Sequence, residues 1–127
     1  MTRCAAVCML VLCLSGAAAA QSVQRSFPAN ALRGEMTVGQ PPEITLNGES
    51  ARLAPGARIR GQNNLLQMSG ALIGQTLPVH YVLGPSDLVH DVWILTDAEL
   101  AKKPWPRTMR EAQTWVFDPV AQAWTPR

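Results

Sequence analysis

His80 and His90 supply all the imidazole in the chain, and they sit on either side of Gly84-Pro85-Ser86-Asp87. Those four residues are turn chemistry between two apolar, β-branched runs, so Leu77 to Thr96 reads as a β-hairpin. With Leu83 facing Leu88, the register sets His80 across from Asp91 and His90 across from Tyr81, and puts Leu77, Val79, Tyr81 and Leu83 on one face with Ile94, Val92, His90 and Leu88. A carboxylate that holds an imidazole in one tautomer equips it as a general base. His80 and Asp91 are therefore the candidate catalytic pair of a small hydrolase. No serine or cysteine stands at a diagnostic spacing to complete it, and no phosphate loop, nucleophile elbow or dinucleotide fingerprint is present. Two histidines also fall short of the three or four ligands that zinc requires. The plainer expectation is an outward polar pair on a non-enzyme, with no metal and no cofactor.

A second concentration of polar groups follows Ala57. Arg58 and Arg60 are two apart on a short strand, hence on one face, and Gly61, Gln62, Asn63 and Asn64 come next. Two guanidinium forks beside side-chain amides suit a carboxylate, phosphate or sugar edge. Arg58, Arg60, Asn63 and Asn64 are accordingly the candidate ligand-binding residues, against the plainer reading of a solvated strand face. The four tryptophans divide the same way. Trp93 lies on the hairpin, with Trp105, Trp115 and Trp124 near the C-terminus. Exposed, they would stack on rings; buried, they supply bulk to a chain that has two Phe and one Tyr. The composition favours burial.

The elements that must position these groups are mostly short strands. Leu32 to Val38 alternates, with Leu32, Met36 and Val38 on one side. Asn47-Gly48 between alternating runs calls for a type I′ hairpin. Ala54-Pro55-Gly56 reads as a further turn before a strand at Ala57 to Arg60, and Leu65 to Ser69 as another strand. After Thr96 the pattern changes. Thr96 with Glu99, and Thr108 with Glu111, are capping boxes opening short helices, the first running from Asp97 to about Lys102. Trp115 to Trp124 forms a terminal hairpin turning at Asp118-Pro119. The expected fold is mainly β, a small antiparallel bent sheet or partly open barrel, with a helical, Trp-rich cap from about residue 97 over one end. A β-sandwich is the alternative.

The address comes from the other end of the chain. Met1 to Ala20 carries Arg3, an apolar run of about 10 residues and a small-residue tail, the pattern of a cleavable signal peptide. Cys4, Cys8 and Cys13 all lie within it, so the mature chain has no disulfide, thiolate ligand or cysteine nucleophile. Residues 21–30 read as a flexible lead-in and 31–127 as one domain. Without Arg3, ten Lys and Arg stand against nine Asp and Glu, which excludes a global case for nucleic acid or an anionic membrane. No membrane span is expected after the leader.

The Asn47-Gly48 hairpin, the Pro55 to Arg60 stretch and His90 to Thr96 together resemble small exported proteins of Gram-negative bacteria, a group without an assigned activity. The resemblance implies a periplasmic or secreted location and carries no catalytic residue with it. The functional expectation is a non-catalytic module binding a protein or envelope component, with the His80 and Asp91 hydrolase as the alternative. Intact-mass measurement of exported material is expected to show a chain beginning at Gln21. Retention of Met1 would contradict the leader.

Overall fold

The computed structural model describes residues 25–127. The expected leader, and positions 21–24 of the expected lead-in, lie outside the described residues. β1 (Leu32–Val38) alternates as its sequence indicates, burying Leu32, Met36 and Val38. β2 (Glu43–Leu46) turns through Asn47 and Gly48, whose φ angles of 52° and 82° are those the tight hairpin demands, into β3 (Glu49–Arg60).

The expected turn at Ala54-Pro55-Gly56 is instead a bend inside one twelve-residue strand. The first part of β3 pairs antiparallel with β2, from Leu46↔Glu49 to Glu43↔Arg52. Its last part pairs parallel with β6 (Val89–Ile94), at Arg58↔Asp91, Ile59↔Val92 and Arg60↔Trp93, after a register shift between Leu53 and Arg58. Gly56, at φ 76°, supplies the left-handed residue such a bulge needs. The break that resembles punctuation in the sequence lets one strand serve two different neighbours. β5 (Thr76–Leu83) then pairs with β6 on one side and with β1 on the other, from Leu32↔Tyr81 to Thr37↔Thr76. The result is a closed five-stranded barrel, β1-β2-β3-β6-β5, of the small Greek-key kind that includes OB-folds. A sixth strand, β4 (Leu66–Gln67), adds to the end of β3 and forms an outer edge.

The β5–β6 hairpin forms in a different register from the expected one. Val79 faces Ile94, His80 faces Trp93, Tyr81 faces Val92 and Val82 faces Asp91. This is a shift of two residues, which preserves the inward set Val79, Tyr81, Val92 and Ile94. Near the turn a bulge at His90 brings Val89, not His90, opposite Leu83 and into the core. The His90 ring lies over Gly84, where any Cβ would collide with it.

Two cores result. The barrel interior holds Leu32, Met36, Val38, Ile44, Leu46, Leu53, Ile59, Val79, Val89 and Val92, with Tyr81 toward one end. A second cluster of Phe27, Ala31, Leu95, Trp105 and Trp124, joined by Trp93, Trp115 and Phe117, covers the outer face of β5 and β6. The C-terminal cap therefore clothes the side of the barrel as well as following its end. It consists of α1 (Asp97–Leu100), α2 (Met109–Thr114) and the hairpin of β7 (Val116–Asp118) and β8 (Ala123–Thr125); the capping box at Thr96 forms in full, while at Thr108 the hydroxyl accepts from the Glu111 N–H without the reciprocal backbone bond. The lead-in is not loose where it is described. Phe27 is buried, and its N–H donates to Oε1 of the buried Gln122 at 2.8 Å.

Trp105 is the centre of the second core, touching Phe27, His80, Phe117 and Trp124 and donating from Nε1 to the Ala31 carbonyl at 2.9 Å. Trp105→Ala is expected to lower unfolding free energy by about 3–5 kcal/mol, the usual cost of deleting a buried aromatic. Chemical denaturation monitored by circular dichroism checks this, and a loss below about 1 kcal/mol would show the cap to be dispensable.

Candidate functional site

Closing the barrel aligns a row of outward side chains across five strands. Arg33 of β1 lies beside His80 of β5, His80 beside Trp93 of β6, Trp93 beside Arg60 of β3, and Arg60 beside Leu66 of β4. Half of this row is buried beneath the cap and half is open, and the division decides which residues can do chemistry.

His80 is on the buried half. Trp105 stacks on its ring at 4.1 Å between centroids, and Phe27 meets it edge-on at 4.4 Å. Its Nε2 accepts a hydrogen bond from Arg33 Nε at 3.2 Å, so the neutral ring carries its proton on Nδ1, which has no partner among the described residues. Burial, reinforced by the charges of Arg33 and Arg25, pushes the imidazole down to about 2 from an ordinary 6.5. The expected outward polar pair is thus corrected on both counts. His80 is 1% exposed, and Asp91 lies opposite Val82, with its carboxylate 3.6 Å from Arg60 Nη1. A general base must reach a substrate proton and hold a proton of its own near working pH. The enclosed, neutral imidazole of His80 meets neither condition.

Two arginines outside the expected site do more than the expected ones. Arg25, in the stretch read as flexible, has a side chain only 3% exposed. Its guanidinium pairs in bidentate fashion with Glu99 and also donates to the carbonyls of Gly61 at 2.9 Å and Ile94 at 2.7 Å. Burial alone would raise the Glu99 carboxyl. Hydrogen bonds from Arg25 and from the Thr96 N–H outweigh it and hold the group below its usual range. Arg33 reaches the far end of α1, donating to the carbonyls of Glu99 at 2.9 Å and Lys102 at 2.8 Å. Both are positioning residues for the cap. The sequence signal for Arg25 was only its nearness to Phe27, too slight to distinguish an anchor from a tail.

The expected ligand residues lie on the open half. Arg58 is exposed, while Arg60 is half-buried, its guanidinium 5.9 Å from the Trp93 ring and close to Asp91. Asn63 and Asn64 are exposed but shape the turn into β4. Asn63 Oδ1 accepts from the Leu65 N–H at 3.1 Å, and Asn64 takes a left-handed φ of 66°. The structure therefore does not bring the four together as one grip. Arg58 is left free of ion pairs among the described residues, beside an apolar strip the sequence reading passed over. In that strip Leu65, Leu66, Met68 and Ile73 are 64%, 67%, 78% and 48% exposed. The signal for it was present in the run from Leu65 to Ile73, which is as apolar as a core strand but has too few partners to become one. Among the described residues no group of three or more metal-ligating side chains converges, and no helix is long and apolar enough to cross a membrane.

Comparison with known proteins adds no further constraint, since no family model, curated protein or solved structure matches the chain.

The buried imidazole makes a pH prediction. The unfolded chain binds a proton at His80 below about 6.5 and the folded chain does not until about 2. Stability is therefore complete above the unfolded value and declines as pH falls, by up to about 1.4 kcal/mol per pH unit. Glu99, with its lowered folded value, loses stability in the same direction at lower pH. Denaturant midpoints should be flat above about pH 7 and fall below about pH 6. In His80→Gln, the slope between about pH 6.5 and pH 5 should flatten even if the whole curve is lower. An unchanged slope would mean that His80 is protonated in the folded protein.

Proposed function

We propose that this chain is a non-catalytic binding module of the periplasm or of the secreted compartment, and that it holds an extended segment of a partner protein along β4. The observation that carries this reading is the exposure of Leu66 on β4, and of Leu65 and Met68 on either side of it, along a strand with one side unpaired. Monomeric proteins seldom leave contiguous large apolar side chains in water, and those that do use them for association. An edge strand offers N–H and C=O groups at the spacing an added strand needs. Next to it lies a groove of about 440 Å³ lined by Pro42, Leu53, Ala57, Ile59, Gln67 and Met68, which can take alternate side chains of such a segment.

The charge nearby selects the partner's chemistry. Arg58 and Arg60 outnumber Asp91 at this edge, so the complementary segment alternates apolar residues with carboxylates. Export supports an envelope setting, and it rests on the leader read in the sequence. The hydrolase reading has no such support, because its general base is enclosed between Trp105 and Phe27.

A fluorescent peptide alternating valine with glutamate, capped at both ends, is the probe. The wild-type chain should bind it, and Leu66→Lys with Met68→Lys, or Arg58→Glu alone, should weaken binding by about ten-fold or more while leaving the melting curve in place. Equal binding of a peptide with lysine replacing glutamate would remove the charge argument. Binding of anionic vesicles instead of the peptide would replace a protein partner by a lipid surface.

A further inference from the structure

At one end of the barrel a cleft of about 570 Å³ opens between the β2–β3 hairpin, the β5–β6 turn and the segment that joins α1 to α2. It is independent of β4 and of the docking reading above. Its floor is apolar, made by Leu46, Ala51 and Leu83, and its rim carries Glu49, Asp87 and Arg107. Each rim group comes from a different part of the chain. None of the three forms an ion pair with another described residue; the pairs present involve Arg25, Arg52 and Arg60 with Glu99, Glu43 and Asp91. Charges of both signs thus stand around one concavity without neutralising each other through contact.

Tyr81 gives the second, separate observation. It lines the cleft with its ring held in the barrel core, the residue as a whole being only 6% exposed. Burial pushes its pKa above the ordinary 10, with Arg107 opposing and Glu49 adding to the shift, so it is a neutral donor and acceptor that feels charges of both signs on the rim. A hydroxyl at the wall of a cleft, on a ring fixed by the core, can both donate to and accept from a molecule that enters it.

We infer that this cleft binds a small zwitterion, an ammonium group set against Glu49 and Asp87 and a carboxylate set against Arg107, with the Tyr81 hydroxyl bonded to the ligand between them. A simple anion would meet two carboxylates, and a simple cation would meet the guanidinium. A neutral polyol would leave all three charges unanswered. A molecule carrying both charges answers each, and an amino acid or short peptide also brings a side chain to the apolar floor. The volume lies within the range of ordinary small-ligand sites and exceeds what a single amino acid fills, so a di- or tripeptide with free termini suits it better.

Titration calorimetry on the full chain tests this with three probes: free alanine, trialanine, and trialanine acetylated and amidated at its ends. Trialanine should bind, alanine should bind more weakly, and the blocked peptide should not. Arg107→Gln, and Glu49→Gln with Asp87→Asn, should each weaken trialanine by about ten-fold, while Tyr81→Phe costs a few-fold. Each variant's melting curve is recorded alongside, and Arg107→Lys, which keeps the charge, should restore part of the affinity. Leu66→Lys with Met68→Lys should leave trialanine binding untouched, which separates this site from the β4 edge. The inference is overturned if the blocked peptide binds as well as the free one. It is equally overturned if no probe gives heat at concentrations up to about 10 mM, or if Arg107→Gln binds trialanine unchanged in a protein that melts like the wild type.

Discussion

The buried guanidinium of Arg25 is the constraint on which the arrangement outside the barrel depends. A charge removed from water is costly unless its partners are complete, and here two carboxylate oxygens of Glu99 and two backbone carbonyls receive it. Those acceptors belong to α1 and to the ends of β3 and β6. One side chain therefore ties the N-terminal segment to the mouth of the barrel and to the first element of the cap. Glu99 is held at the same time by its own helix, accepting from the Thr96 N–H at 2.9 Å. Arg33 closes the opposite end of α1. A helix of four residues has no stability of its own. This one persists because both of its ends are held by arginines from distant parts of the chain.

That clamp has consequences for Trp105, which follows α1 and lands on the outside of β5. Strands β5 and β6 become buried on both faces: aliphatic toward the barrel axis, aromatic toward the cap. The polar residue caught on the covered face is His80. Its hydrogen bond to Arg33 and its stack on Trp105 fix the ring in place, and burial with the charges of Arg33 and Arg25 keeps it neutral well below the ordinary imidazole range. The stability of the domain is thereby coupled to acid through a residue that has no access to substrate.

What is left for recognition lies where the cap does not reach. On the far side of the same outward row, Arg60 and Leu66 meet water, and the chain runs on through Met68 to Ile73 with little to cover it. At the barrel's end, Glu49, Asp87 and Arg107 surround a cleft with the Tyr81 hydroxyl in its wall. The architecture assigns no activity by itself, since small barrels of this kind serve many. The two uncovered regions differ in chemistry, one apolar and flanked by arginine, the other polar and of mixed charge, and so they suit different ligands.

Local chemistry alone determined a good part of this protein. The alternation in Leu32 to Val38, the positive φ demanded at Asn47-Gly48, the capping box at Thr96, the N-cap at Thr108 and the turn at Asp118-Pro119 all act within a few residues, and each appears in the structure. The mainly β class and the burial of Trp105 and Trp124 followed from the same short-range patterns and from composition. Long-range geometry decided the rest. Ala54-Pro55-Gly56 has the composition of a turn, and only the need of β3 to reach both β2 and β6 made it a bulge. The bulge at His90 accompanied a two-residue shift, which a period of two cannot reveal because it leaves the inward face unchanged. That shift separated His80 from Asp91. Arg25 looked like part of a tail because its acceptors lie 36 to 74 residues away in the chain. Ion pairs and hydrogen bonds across such separations leave no periodicity in a sequence, so the anchor, the buried histidine and the two open surfaces became legible only when the barrel closed.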